Sequence, residues 1–141
     1  MKKTLIGIAV LALIFAGGVW WSKSLQQGDT GLIATKGIHW HTQLEIYVKG
    51  VKQDIPANVG IGATHQPIHT HDEDAAQGAI HLEFGGRVTK DDVKLGNFFR
   101  IWGKDIRSFG DGMTMTVNGE ANTEFDNYQM RDKDKIELRY E

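Results

Sequence analysis

All six histidines of this 141-residue chain fall between His39 and His81, and four of them form His-x-His pairs, His39 with His41 and His69 with His71. Glu83 follows His81 at the same spacing. On an extended strand, side chains two residues apart leave the same face, with roughly 6.6 Å between their α-carbons. Two imidazoles placed in this way can converge on one ion at nitrogen–metal distances of about 2.0–2.1 Å. The candidate metal ligands are therefore His39, His41, His69, His71, His81 and Glu83. His65 has no such companion and reads as an ordinary surface or core histidine. The acidic run Asp72 to Asp74 either solvates its loop, supplies an oxygen ligand or holds an imidazole in one tautomer from behind.

The chain has no cysteine, which excludes disulfides, thiolate metal sites, a cysteine nucleophile and a lipoprotein anchor. Any metal is held by nitrogen, oxygen or thioether. An all-imidazole set suits copper, zinc and nickel, and the usual affinity order puts Cu(II) first, so copper is the expected cofactor and zinc the alternative. Met113 and Met115 offer two thioethers on one strand face, but methionine pairs of this kind read as core. There is no H-E-x-x-H, EF-hand or cysteine-based zinc pattern. The His-x-His-x3,4-Glu pattern of cupins is not completed either, because Ala75 and Ala76 stand where the glutamate is required.

The elements that must carry these residues are legible in part. In "IHWHTQLEIYV", Ile38, Trp40, Leu44, Ile46 and Val48 alternate with His39, His41, Gln43, Glu45 and Tyr47, which predicts a strand with its histidines turned away from the core. Lys49-Gly50 reads as a hairpin turn into a second strand, "VKQDIPA", that Pro56 ends or confines to an edge. "AIHLEF" repeats the alternation, with Ile80, Leu82 and Phe84 on one side and His81 and Glu83 on the other. Asp91 or Asp92 is the expected N-cap of a helix through "VKLGNFFRIWG", stopped by Gly103, although Gly96 weakens its middle. Two strands are expected near Met113–Val117 and Lys135–Tyr140, with Asn118-Gly119 as a turn. This order predicts an α+β fold, a small mixed sheet with one main helix in a β-grasp-like arrangement, with an all-β cupredoxin-like sandwich as the alternative.

Ahead of that domain, Lys2 and Lys3 precede an uncharged and largely apolar run from Leu5 to Trp21. Residues 1–21 are expected to be a signal anchor, or a signal peptide cleaved near Val19, and either places the rest outside the cytoplasm, periplasmic or at the cell surface. Residues 22–36 read as a tether and residues 37–141 as one globular domain. With 16 basic and 18 acidic residues and no basic stripe, nucleic acid is not an expected partner. The expected partners are a metal ion and, through the N-terminal segment, a membrane; the sequence leaves any protein partner unspecified.

The stretches "HWHTQLEIYVKG", "IPANVGI", "PIHTHDEDAAQGAIHLEF" and "LGNFFRIWG" together resemble a family of mostly uncharacterised extracytoplasmic proteins that share an HTHD segment, a following IH-x-E strand and an LG-x-FF-xx-WG helix. The resemblance covers residues 37–103 and implies that the histidine pattern belongs to a defined domain. It implies no particular reaction. The residues themselves favour a membrane-tethered copper-binding protein for storage, delivery or tolerance. The alternatives are a small metalloenzyme, an oxidase or hydrolase with Glu83 or Asp72 as base, and a non-metal interaction domain. No catalytic residues are specified, and an enzyme is the less favoured reading.

Overall fold

The computed structural model describes residues 13–19 and 31–141. The chain divides into two units at Thr30 and Gly31. In the first, residues 13–19 are helical (α1), and the rest of the expected membrane segment, like residues 22–30 of the expected tether, lies outside the described residues. Among the described residues no helix is long and apolar enough to cross a membrane.

The second unit is α+β. Its strands are β1 (Leu32–Ala34), β2 (Ile38–Val48), β3 (Val51–Gln53), β4 (Ile68–His69), β5 (Ala79–Phe84), β6 (Val88–Thr89), β7 (Thr114–Val117), β8 (Glu120–Asn122) and β9 (Lys135–Tyr140), with one helix, α2 (Leu95–Trp102). The main sheet runs β4-β5-β2-β9-β7-β8, and β3 adds to the far half of β2. Strand β2 is long enough to serve two partners: its first half pairs antiparallel with β5, and its second half pairs in parallel with β9. The expected hairpin exists, but β3 returns for only three residues, and the main antiparallel partner of β2 is β5.

Alternation decides which face is buried. Leu44 and Ile46 of β2, Ile80 and Leu82 of β5, and Ile136 and Leu138 of β9 turn to one side and are shielded from water, while Phe98 and Phe99 of α2 lie in the same core. Met115 joins this core and Met113 packs at its margin, as their strand position suggested. Trp40 and Phe84 are only partly buried against it. Truncation of Leu82 to Ala removes a fully buried side chain beside Phe98 and Phe99 in this cluster, so chemical denaturation is expected to register a loss of about 2–5 kcal/mol. A loss below about 0.5 kcal/mol, the scale of a neutral surface change, would contradict this assignment of faces.

Local detail departs from the sequence pattern at several points. The helix begins at Leu95 with Lys94 as N-cap and no side-chain cap; Asp92 instead accepts from the N–H and hydroxyl of Thr89, closing the turn ahead of it. Gly96 is there for close approach, since a Cβ would meet the carbonyl oxygen of Asp126 at 3.0 Å and its Cβ at 3.1 Å. Leu32–Ala34, inside the stretch read as tether, pairs with β6, a contact set by distant sequence and too short to leave a periodic signal. Asn118 and Gly119 do turn the chain, with φ of 54° and 86°, but into β8, a strand the pattern did not reveal.

Candidate metal centre

Sheet register brings the histidines together. His81 of β5 stands directly opposite His41 of β2 on one side and His69 of β4 on the other. Opposed residues on neighbouring strands project from the same face, with Cβ atoms about 4.5–5.5 Å apart. Three imidazoles therefore form a row across three strands, on the face opposite Ile80 and Leu82. His39 and Glu83, each two residues along, are likewise opposed, and His39 Nε2 lies 3.2 Å from Glu83 Oε1. The ring centroids of His41 and His81 are 4.5 Å apart, and those of His69 and His81 stack at 5.4 Å. His71, just past β4, sets its ring 4.7 Å from His69 and 4.6 Å from His81.

The row runs from water into the protein. The His39 side chain is 63% exposed, His81 is 8% exposed and His69 is fully buried. Alternation placed His81 on the polar side of its strand; it does occupy that face, with His69 opposite it on β4, but loops fold over both and remove the water. His65 packs its ring 4.3 Å from His69, the Gln66 carbonyl reaches the same ring, and Asp74 closes on His81.

The HTHD segment is held by the residue between its histidines. Thr70 is buried, donates its hydroxyl to the Pro56 carbonyl and accepts from the Val59 N–H, which turns His69 and His71 the other way. Asp72 accepts from the Asn58 side-chain amide at 2.8 Å, which ties the loop to Asn58. On the opposite side, the His41 N–H donates to Asp132 and its carbonyl accepts from Lys133, fixing the start of β2.

Hydrogen bonding selects which ring nitrogens keep a lone pair. Burial pushes the His69 pKa below its ordinary value, opposed by the hydrogen bond to the Gln66 carbonyl, so the ring is neutral at pH 7. A carbonyl only accepts; His69 Nδ1 therefore carries the proton at 3.0 Å from Gln66 O, and Nε2 presents its lone pair. That atom lies 3.1 Å from His71 Nε2. Two nitrogens each about 2.05 Å from a tetrahedral ion are roughly 3.3 Å apart, so this spacing suits two ligands of one metal. His81 gives its Nε2 to the Asp74 carboxylate at 2.8 Å, while its Nδ1 is buried with no hydrogen-bond partner. Leaving such an atom unpaired costs about 1–3 kcal/mol, a penalty that a cation would remove.

Ligand atoms of His69, His71, His81 and Glu83 all lie within 4.8 Å of one another, and the same holds for His39, His41 and His81. The first set is three imidazole nitrogens and a carboxylate oxygen, a combination that fits Cu(II) or Zn(II). The Asp74 to His81 contact matches the carboxylate–histidine pairing that orients metal ligands from behind. Asp74→Asn is expected to weaken metal affinity about 10–100-fold by titration, while Asp72→Asn, on the Asn58 side of the loop, changes it far less.

Sequence reading missed His65 as a packing partner of the site and could not single out Asp74 from the acidic run. Its only signal there was position, seven residues ahead of His81. Comparison with protein-family models, with curated proteins and with solved structures finds no match to this chain.

Proposed function

We propose that this chain is an extracytoplasmic copper-binding protein, with zinc as the alternative ion, that stores, delivers or sequesters the metal and is tethered to the membrane through its N-terminal segment. One observation carries the metal reading: His69 Nε2 and His71 Nε2 sit 3.1 Å apart in a cluster with His81, whose Nδ1 is buried and has no partner. Without a cation His81 Nδ1 stays buried and unpaired while His69 and His71 share a hydrogen bond; one divalent ion can replace that bond and supply the missing partner. Export and tethering rest on Lys2, Lys3 and the apolar run from Leu5 to Trp21. The likeness of residues 37–103 to an uncharacterised extracytoplasmic family belongs to the same reading.

The finer fold we assign is β-grasp-like. Its support is the order β5-β2-β9-β7, with first and last strands parallel at the centre and α2 lying in the sequence between the two outer antiparallel strands. On this frame the segment from Ile68 to Gln77 is an addition that brings β4 and the HTHD loop to the edge of β5.

Isothermal titration of the full chain in mild detergent, with Cu(II) and then Zn(II), tests the proposal. Binding at micromolar or tighter affinity, with Cu(II) displacing Zn(II), is the expected outcome. Affinities no better than about millimolar for both ions would end the metal reading and favour an interaction domain.

A further inference from the structure

Building on the metal reading, we infer that the histidine cluster holds one ion in two overlapping positions: an outer position at His39, His41 and His81 takes the ion up, and an inner position at His69, His71, His81 and Glu83 retains it. His81 is common to both ligand sets. It has only one nitrogen to give, because Nε2 is committed to Asp74 at 2.8 Å, and a histidine that bridges two metals must use both ring nitrogens. The ring is also nearly buried and stacked on His69, so it does not swing between positions. Full occupancy of one position therefore excludes full occupancy of the other.

Exposure assigns their order. His39 and His41 are exposed, whereas His69 has no accessible surface. Between them the rings form an unbroken series, with centroids 4.9 Å apart from His39 to His41, 4.5 Å from His41 to His81 and 4.6 Å from His81 to His71. Glu83 sits at the seam: Oε1 is 3.2 Å from His39 Nε2 and 4.0 Å from His81 Nδ1, and its side chain is 39% exposed. An ion can thus exchange His39 and His41 for His71 and His69 one ligand at a time while His81 stays bound and the carboxylate follows. No step requires a bare ion. Stepwise exchange avoids the desolvation cost of moving an uncompensated charge into a buried site.

Stopped-flow mixing of the full chain with Zn(II), read through a chromophoric zinc chelator and paired with equilibrium titration, separates the two roles. The unaltered chain is expected to bind one ion tightly. His39→Ala/His41→Ala should lower the association rate at least about tenfold. The same variant should keep its equilibrium affinity within about threefold, well short of the 10–100-fold loss that follows removal of even an outer-sphere partner. If truncation disturbs β2, His39→Gln/His41→Gln keeps side-chain volume and serves instead. Two tight ions per chain would overturn the shared position, and an unchanged association rate would overturn the uptake role. An affinity loss equal to that of a His69→Ala/His71→Ala variant would overturn the division into outer and inner ligands. Failure of the metal reading itself is distinguishable, since the unaltered chain would then bind nothing.

Discussion

His69→Ala/His71→Ala is expected to lose on the order of 1,000-fold or more in copper affinity, about 4 kcal/mol. These residues supply the two nitrogens held 3.1 Å apart, and without them His81 and Glu83 are left as a pair open to water. The trio of His39, His41 and the nearly buried His81 remains, so weak binding persists and specific retention does not. His69 is fully buried, and its truncation also opens space beneath His65 and Gln66. A thermal melt in chelator measures that structural cost separately. His71→Ala alone, at a partly exposed ring, tests the ligand role with less disturbance of packing. Affinity within about threefold of the unaltered chain for a folded double variant would show that the HTHD histidines do not hold the metal, since even outer-sphere losses exceed that.

The reason sequence pointed to these residues, and could not arrange them, lies in what periodicity encodes. A two-residue repeat fixes the face from which a side chain leaves, and on that ground His39, His41 and His81 were separable from Leu44, Ile46, Ile80 and Leu82. It does not encode which strands pair or in what register. That His41, His81 and His69 stand in one row depends on β5 lying between β2 and β4, and β4 is two residues long. Adjacent turn chemistry suggested β3 as the partner of β2, yet most of the antiparallel edge went to β5, a strand from beyond the histidine loop. The burial of His69 was also hidden, because a loop folded across a polar face leaves no alternation of its own. Asp74 and His81 illustrate the same limit: seven residues apart, they meet only because the 3₁₀ turn Ala75–Gln77 reverses the chain between them. Local features fared unevenly as well. Gly103 ends α2 in the left-handed conformation expected of it, whereas neither Asp91 nor Asp92 is its N-cap, and Asp92 bonds to Thr89 in the preceding turn.

Saturating Cu(II) is expected to raise the melting temperature of the chain at pH about 7.5 by roughly 10 °C and to have almost no effect near pH 5. At a free ion concentration about 100 times Kd, binding to the folded state alone adds about 2.7 kcal/mol. For a domain of this size that corresponds to a shift on the order of 10 °C. Acid removes the gain because each imidazole ligand must be deprotonated to bind, so protons compete with the ion at several nitrogens together. His69 gives the same dependence a second origin in the metal-free chain. Its pKa is lowered on folding, chiefly by burial, so the folded state favours the neutral ring more strongly than the unfolded chain does. The corresponding stability is present above the unfolded value of about 6.5 and is lost as pH falls through the lower folded value. Melts with chelator and with copper across this range therefore both decline toward acid, and the gap between them closes. A copper-induced shift that persisted undiminished at pH 5 would place the ion on carboxylates such as Glu83 and Asp74, not on the imidazoles of His69, His71 and His81.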